Sequence, residues 1–197
     1  MRTSKISRKT RETDIEVLIN LDESAQPEIS TGIGFFDHML TALAVHSGFT
    51  LFVRCKGDLE VDGHHTAEDV GIVLGQAFAA AIKNHPGGDR AGIARYSTKF
   101  IPMDEALAFC SLDISGRPFL HFDAVFTQEK IGDFDSCLAV EFFRAFAYNA
   151  GITLHLKTMS GDNAHHMIEA LFKALAHALK EAAAVVSGEV LSSKGVL

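Results

Sequence analysis

The chain has 197 residues, which is enough for one large domain or two small ones. Hydrophobic residues make up 47% of it and charged residues 22%, a composition that excludes an intrinsically disordered chain. The formal net charge is −7 although the first eleven residues are strongly basic, and an acidic body argues against a nucleic-acid partner. The unusual feature is histidine: there are ten, and four of them form the adjacent pairs His64-His65 and His165-His166.

Other broad classes are excluded as well. No apolar run reaches the ~18 residues that a membrane span needs, so we expect no membrane partner. The three cysteines are odd in number and lack CxxC spacing, which argues against a disulfide framework and predicts a reducing, cytoplasmic location. The basic first eleven residues lead directly into a strand-like pattern, so we interpret them as a solvated arm rather than a targeting segment.

The chain is internally duplicated. Gly48-Phe49-Thr50-Leu51 recurs 103 positions later as Gly151-Ile152-Thr153-Leu154, and His64-His65-x-x-Glu68 recurs 101 positions later as His165-His166-x-x-Glu169. Such self-similarity indicates that one structural unit is used twice. We therefore divide the chain into a first unit at residues 1–92 and a second at 93–197, which ends in a basic tail.

Taken in chain order, the two units show the same succession of predicted elements. Alternating apolar and polar residues predict an opening strand, and a helix with one apolar face follows it. A glycine suited to the C′ position ends this helix, and a short strand, a polar loop and a long alanine-rich helix come next. The predicted ranges are 15–21, 35–47, 50–55 and 66–83 in the first unit, and 109–114, 137–149, 153–157 and 165–185 in the second.

The order of these elements indicates the fold class. Because strands and helices do not alternate regularly, the pattern favours an α+β fold: two similar two-layer α/β sandwiches, each a sheet with helices on one face. We also interpret Ser115-Gly116-Arg117-Pro118 as the turn of a hairpin.

The two HHxxE motifs carry the chemistry. In each motif the glutamate follows the histidines at the i+4 and i+3 positions, a spacing that places the side chains on one face of a helix. Adjacent histidines differ by about 100° of helical rotation, so they point toward different ions, or toward one ion in the same chain and one across an interface. Imidazole and carboxylate ligands without thiolate favour Mn, Fe, Zn or Ni. Solvated surface histidines are the alternative, but the repetition favours metal binding.

The repeat adds two candidate ligands. His38, ten residues before Gly48, corresponds to Glu141, ten residues before Gly151. Both are metal-ligand residue types on corresponding helices. The full set is sufficient for two sites of four ligands, which leaves coordination positions for substrate. Its members are His38, His64, His65, Glu68, Glu141, His165, His166 and Glu169.

Basic residues outside these motifs suggest a phosphate-bearing substrate, because guanidinium and ammonium groups bind phosphate. Taken alone, each of them is more often a solvated side chain or, in the tail, part of a disordered terminus. The candidates are Arg95, Arg117, Lys173 and the tail Ser192-Ser193-Lys194-Gly195.

Five stretches of the chain together carry a family resemblance. They are Thr31-Gly32-Ile33-Gly34-Phe35-Phe36-Asp37-His38-Met39-Leu40, Asp62-Gly63-His64-His65-Thr66-Ala67-Glu68-Asp69, Ser115-Gly116-Arg117-Pro118, His165-His166-x-x-Glu169-Ala170-x-Phe172-Lys173-Ala174 and Ser192-Ser193-Lys194-Gly195-Val196-Leu197. These stretches resemble the imidazoleglycerol-phosphate dehydratase family, and the resemblance extends from about Arg8 to the end, in order and without a large insertion.

The resemblance implies an enzyme of histidine biosynthesis that removes water from imidazoleglycerol phosphate, giving imidazole acetol phosphate, with two Mn²⁺ per chain. It also implies a large homo-oligomer, in which trimers assemble into a 24-mer with active sites between subunits. The eight ligands above match the family's metal positions. Glu12 matches a glutamate at the substrate and His46 a pocket histidine, and these two are the predicted catalytic residues. The predicted substrate-binding residues are Glu12, His38, His46, His64, His65, Glu68, Arg95, Arg117, His165, His166, Glu169, Lys173, Ser192, Ser193 and Lys194.

The chain departs from the family pattern at two positions. Many relatives carry histidine where this chain has Glu141, and glutamine where it has Ala42. A carboxylate still binds Mn²⁺, whereas one polar pocket contact is absent or replaced. The remaining histidines, which are His85, His121, His155 and His177, are interpreted as ordinary loop, strand or helix residues.

Two other functions stay open at this stage. A dinuclear metal hydrolase of phosphate esters would use the same metals and the same anion pocket. A structural assembly protein, in which the histidines only join subunits through metal ions, would bind no small imidazole ligand.

Overall fold

The computed structural model describes residues 1–187 and 191–192 and contains two four-stranded sheets with the same strand order. The first sheet has the order β1-β2-β4-β3 and the second β5-β6-β10-β7, so the predicted duplication into two sheet-plus-helix units is confirmed. In each sheet the first three strands are antiparallel and the last pairs in parallel. The elements of the first half are β1 (Thr3–Lys9), β2 (Thr13–Asn20), β3 (Glu28–Ser30), α1 (Gly34–Ser47), β4 (Thr50–Gly57) and α2 (His64–Lys83).

The second half repeats this plan and adds a small two-stranded ribbon, formed by β8 and β9, before its first helix. Its elements are β5 (Tyr96–Met103), β6 (Ala106–Asp113), β7 (Phe119–Asp123), β8 (Lys130–Ile131), β9 (Phe134–Asp135), α3 (Leu138–Ala150), β10 (Thr153–Ser160) and α4 (Ala164–Ala182).

The helices exchange partners between the two halves. Helix α2 packs on the first sheet and α4 on the second, as a layered α+β fold requires. However, α1 packs against α4, and α3 packs against α2, so each helix pair combines both copies of the repeat. In the described part of the chain, no helix has the length and apolarity of a membrane span.

All four helices begin at the same end of the molecule. A Cβ placed on Gly63, which precedes α2, would lie 3.0 Å from both Ile33, which precedes α1, and Leu138, which opens α3. At the start of α1, the ring of Phe35 lies 4.9 Å from that of His165 in the first turn of α4. Since helix N-termini carry partial positive charge, this end of the molecule favours carboxylates and other anions.

Phenylalanine side chains hold the helix layer together. Phe142 on α3 lies 5.1 Å from Phe172 on α4 and 5.4 Å from Phe36 on α1, measured between ring centroids. All three side chains are fully buried. Burial of one such ring contributes about 1.5–3 kcal/mol. Because this cluster joins the two copies, the copies form one common core.

Two glycines allow α2 and α3 to approach closely. A Cβ at Gly71 would lie 2.7 Å from the carbonyl oxygen of Phe142, and a Cβ at Gly75 would lie 2.6 Å from that of Phe146. Any larger side chain at these positions would push the helices apart. The contact fixes how the start of α2, with its HHxxE motif, lies relative to α3.

The structure confirms the eight predicted elements with shifts of only a few residues at most ends, but two sequence interpretations are wrong. The N-terminal segment is not a solvated arm, because Thr3–Lys9 forms β1 and pairs with β2. Lys5 and Ser7 are exposed there because they lie, like their partner Glu16 on β2, on the face of the sheet opposite buried Val17, which explains the polar pattern. The turn at 115–118 does not close a hairpin, because β10 lies between β6 and β7.

The close approach of α2 and α3 predicts a stability difference between two glycine substitutions. Gly75→Ala forces a methyl group against backbone atoms of α3, and we expect the free energy of unfolding to fall by about 1–3 kcal/mol. Gly34→Ala is the matched control, since nothing lies within 4 Å of its Cβ position and alanine favours the helix. Urea unfolding at equal protein concentration measures both. Equal stability of the two variants would contradict the packing argument.

Candidate metal centre and substrate pocket

His38, His165 and Glu169 form a cluster at the end of the molecule where the helices begin. Their ligand atoms all lie within 4.8 Å of one another. One oxygen of Glu169 lies 3.6 Å from Nε2 of His38 and 3.3 Å from Nε2 of His165. His38 comes from α1 and the other two residues from α4, so the exchange of helix partners creates the cluster. Among the described residues it is the only group of three or more such side chains found within coordinating reach.

Glu169 is a buried carboxylate with a defined charge environment. Burial alone raises its pKa, but the hydrogen bond and charge of Lys173 outweigh that effect, with His38 and His165 adding to them. The net result is a pKa below the usual range, so Glu169 is ionised. Lys173 approaches its second oxygen to 2.7 Å. One oxygen of Glu169 therefore faces the two imidazoles, while the other is bound by a lysine one turn along α4.

The second histidine of each HHxxE motif is held by a carboxylate at Nδ1. Asp58 lies 3.0 Å from Nδ1 of His65, and Glu105 lies 2.7 Å from Nδ1 of His166. These contacts raise the pKa of both histidines, while the contact with His166 lowers the pKa of Glu105 to about 2. A carboxylate at Nδ1 fixes the ring and leaves Nε2 for another partner, an arrangement typical of histidines that ligate metals.

Glu12 lies next to the first of these pairs. Its Oε1 is 3.8 Å from Nε2 of His65, and about half of its side chain is exposed. The backbone N–H of Glu12 is bound by the hydroxyl of Thr10 in the turn before β2. Glu12 is therefore a solvent-facing carboxylate at the same end of the molecule as the metal cluster.

The predicted ligands on α2 and α3 do not form a comparable cluster among the described residues. Nε2 of His64 lies 3.5 Å from Glu68, one turn along α2. Glu141 on α3 instead forms an ion pair with Arg144, three residues further along the same helix. The pairing of α2 with α3 mirrors that of α4 with α1, so Glu141 occupies the position equivalent to His38. The eight-ligand set as a whole stays a prediction.

Further along the interface between α1 and α4, beyond the metal cluster, lie two histidines that contact each other. His46 lies two turns after His38, and its Nδ1 is 3.2 Å from Nε2 of His177 on α4. Burial lowers the pKa of His46, and the charge of Lys173 lowers it further. The predicted substrate-binding residues His46 and Lys173 thus lie close enough at this interface for the charge of one to act on the other.

Arg95 and Arg117 meet at a different place, around Asp113 at the end of β6. Arg95 donates to both carboxylate oxygens of Asp113, at 2.7 and 3.1 Å. A terminal nitrogen of Arg117 lies 3.6 Å from Oδ2 of the same aspartate. Arg95 has a positive φ of 73° and also donates to the carbonyl of Leu191, which places Ser192 beside this cluster. Ser193 and Lys194 lie outside the described residues.

The arginine cluster and the metal cluster lie at opposite ends of α4. The backbone N–H of Arg95 donates to the carbonyl of Ala182, which is the last residue of α4. Glu169 lies 13 residues earlier, which corresponds to about 20 Å along the helix axis. One small substrate cannot contact both clusters of a single chain.

Four residues of these clusters were not predicted: Asp58, Glu105, Asp113 and His177. One signal in the sequence would have found Glu105. It directly precedes β6, as Glu12 directly precedes β2, so the repeat places both at equivalent turns. His177 contacts a residue 131 positions away, and the contacts of Asp58 and Asp113 depend on how a loop and a strand end fold; spacing reports neither.

Fold and site together define a class of protein: a duplicated α+β chain whose two halves bring together a cluster of histidine and carboxylate side chains suited to a metal ion. Comparison with known proteins agrees. The family profile for imidazoleglycerol-phosphate dehydratase matches residues 31–179. A relative of that name from Caldicellulosiruptor saccharolyticus is 52% identical over 196 residues, covering 100% of this chain and 98% of the relative. Another from Acetivibrio thermocellus is 54% identical over 199 residues, covering 100% and 99%.

Solved structures give the same result. The crystal structure of imidazoleglycerol-phosphate dehydratase from Staphylococcus aureus matches with a TM-score of 0.82 and 41% identity, over 94% of this chain and 99% of that one. The structure from Pyrococcus furiosus matches with a TM-score of 0.82 and 38% identity, over 98% and 100%. This chain belongs to the imidazoleglycerol-phosphate dehydratase family. The family and the enzyme class expected from the sequence are confirmed, and with them a metal-dependent enzyme acting on a small molecule.

The metal cluster predicts a specific loss on substitution of Glu169. Glu169→Gln keeps the shape of the side chain but removes the charge that offsets a divalent cation, so we expect Mn²⁺ affinity at this cluster to fall by more than about tenfold. Calorimetric titration of metal-free protein measures it. Glu181→Gln is the matched control, because Glu181 is on the same helix but binds Lys99 and Ser97. Equal affinities in both variants would remove Glu169 from the metal centre.

The carboxylates behind His65 and His166 predict a second effect. Glu105→Gln removes the charge at Nδ1 of His166, so the pKa of His166 should fall toward its ordinary value, and metal affinity should drop by about 10- to 100-fold. The exposed Glu129→Gln is the control. Proton NMR of histidine resonances gives the pKa, and calorimetry gives the affinity. An unchanged metal affinity in Glu105→Gln would show that His166 binds no ion.

Proposed function

We propose that this protein removes water from imidazoleglycerol phosphate to give imidazole acetol phosphate in histidine biosynthesis, and that each chain binds two Mn²⁺. The observation that carries the proposal is the cluster of His38, His165 and Glu169, built from both copies of the repeat in a chain of this family. A biosynthetic step of this kind agrees with the cytoplasmic location expected from the sequence.

The donor set fits a hard or borderline divalent ion. Two imidazole nitrogens and one carboxylate oxygen within 4.8 Å of one another can close on a single cation, and ionised Glu169 supplies compensating charge. The reaction needs such help, because the hydrogen to be removed lies on a carbon beside an imidazole ring with no carbonyl to acidify it. When bound, the ions would supply Lewis acidity toward the ring nitrogens of the substrate, worth several kcal/mol.

Glu12 and His46 are the catalytic residues of this proposal, with different roles. Glu12 is the proton-transfer group: it is a half-exposed carboxylate beside His65, so it has access to substrate and solvent, and a well-placed acid–base group contributes about 10²- to 10⁴-fold in rate. His46 lies further along the interface of α1 and α4, where the charge of Lys173 acts on it, and its neutral imidazole hydrogen-bonds the substrate.

The phosphate of the substrate is bound away from the reacting bonds. Lys173 and His46 lie along the interface of α1 and α4 beyond the metal cluster, and Arg117 and Ser192 lie beside Arg95 at the far end of α4. Binding energy from a remote phosphate orients the imidazole end of the substrate. We propose that Ser193 and Lys194 complete the phosphate site.

The distance of about 20 Å between the two clusters supports active sites shared between subunits. We propose that the arginine cluster of one chain serves the metal cluster of another, and that Nε2 of His65 and of His166, whose Nδ1 atoms are already bound, ligate ions held by a neighbour. Closed homo-oligomers with this interface follow, and the family resemblance suggests trimers that assemble into a 24-mer.

The direct test is an assay of purified, Mn²⁺-loaded protein with imidazoleglycerol phosphate. We expect water loss without release of inorganic phosphate, about two Mn²⁺ per chain, and a particle much larger than one chain. Phosphate release without dehydration would instead support a dinuclear phosphohydrolase. An active, metal-free monomer would contradict both.

Shared active sites predict complementation between two impaired variants. Glu169→Gln removes the metal end, and Arg117→Ala weakens the phosphate end, so each homogeneous assembly should have low kcat/KM. In assemblies formed from equal amounts of both chains, about a quarter of the sites would combine two intact halves, and activity should exceed that of either parent. Preparations mixed after assembly are the control. Activity equal to the mean of the parents would contradict sites shared between chains.

A further inference from the structure

His177 contacts His46 across the interface of α1 and α4. Its Nε2 lies 3.2 Å from Nδ1 of His46, and the ring centroids are 5.2 Å apart. Both side chains are half-buried. By its sequence context His177 is an ordinary helix residue, yet it forms the polar contact of a predicted catalytic histidine.

A hydrogen bond between two imidazole nitrogens couples their protonation. Only one of the two nitrogens carries the shared proton, and the other accepts it. If Nε2 of His177 donates, Nδ1 of His46 is the acceptor, and the proton of neutral His46 must lie on Nε2. If Nδ1 of His46 donates instead, Nε2 of His46 presents a lone pair.

The surroundings keep both rings neutral. Burial lowers the pKa of His46, and it lowers that of His177 as well. The charge of Lys173 adds to the effect at His46, and those of Lys180 and Lys99 add to it at His177. Glu169, which acts in the opposite direction on His46, is already bound by Lys173. In a neutral pair one imidazole donates and the other accepts, so the direction of the hydrogen bond determines which ring nitrogen of His46 carries a proton.

We propose that His177 is a positioning residue for substrate binding, which donates from Nε2 to His46 and so directs the Nε2–H of His46 toward the anionic phosphate end of the substrate. The proposal rests on the function proposed above. An anion beside Lys173 selects this arrangement, because a donor on His46 hydrogen-bonds the anion whereas a lone pair would repel it. His177 itself touches no substrate atom in this account.

Two substitutions separate positioning from packing. His177→Leu fills the space but removes the hydrogen bond, and His177→Gln keeps a side-chain N–H donor near the position of Nε2. In the Mn²⁺-loaded assembly, we expect His177→Leu to raise the KM for imidazoleglycerol phosphate by about three- to tenfold with kcat changed less than about twofold. We expect His177→Gln to recover most of that loss. His85→Leu, at a histidine in the loop after α2, should leave both constants unchanged.

A double-mutant cycle with His46→Leu tests whether His177 acts through His46. Once His46 is absent, the effect of His177→Leu on KM should disappear. The proposal is overturned if His177→Leu leaves KM unchanged, if His177→Gln is as impaired as His177→Leu, or if the effect persists without His46. Failure of the proposed function is distinct, because the unmodified protein would then show no dehydration at all.

Discussion

The parallel packing of α1 against α4 is the contact on which the site depends. It places His38, from the first copy of the repeat, beside His165 and Glu169 from the second. Neither copy alone holds this set of ligands. The phenylalanine cluster around Phe142 fixes the packing of these helices. Because α1 and α4 begin at the same end of the molecule, their first turns bring the three candidate ligands together. Burial of apolar rings thus supplies the energy that holds a polar site in place.

The same helices also set the separation between the metal cluster and the arginine cluster. The candidate metal ligands lie where the helices begin, and the arginine cluster lies where α4 ends. A helix of this length is longer than a small substrate, so in the proposed function a complete site forms only between chains. Under that proposal the duplication has two consequences: it completes the metal cluster within one chain, and it leaves the arginine cluster to serve a neighbour.

The electrostatic arrangement follows the same division. Carboxylates hold the imidazoles at the metal end, with Glu169 facing two rings and with Asp58 and Glu105 each bound to an Nδ1 atom. Lys173 and the imidazoles of His46 and His177 lie beyond it along the same interface. A cation-binding end and an anion-binding end in one continuous interface suit a substrate with an imidazole at one end and a phosphate at the other.

Much of this arrangement could be predicted from the sequence because the repeat supplied an internal comparison. The two HHxxE motifs predicted where α2 and α4 begin. The correspondence of His38 with Glu141 added a candidate ligand that lies outside both HHxxE motifs. What could not be predicted was any feature defined by partners distant in sequence. The basic, polar edge strand β1 lacks the apolar alternation by which a half-buried strand is recognised. The parallel pairing of β7 with β10 contradicts the hairpin that a turn motif suggested, and His177 resembles any histidine on a helix until α1 is packed against it.

The central claim is that His38 and the second HHxxE motif bind one metal ion together. Anomalous diffraction from crystals of the Mn²⁺-loaded protein tests it most directly. The account predicts a strong peak within bonding distance of Nε2 of His38, Nε2 of His165 and one carboxylate oxygen of Glu169. Manganese peaks found only elsewhere, with these three side chains unliganded, would contradict it.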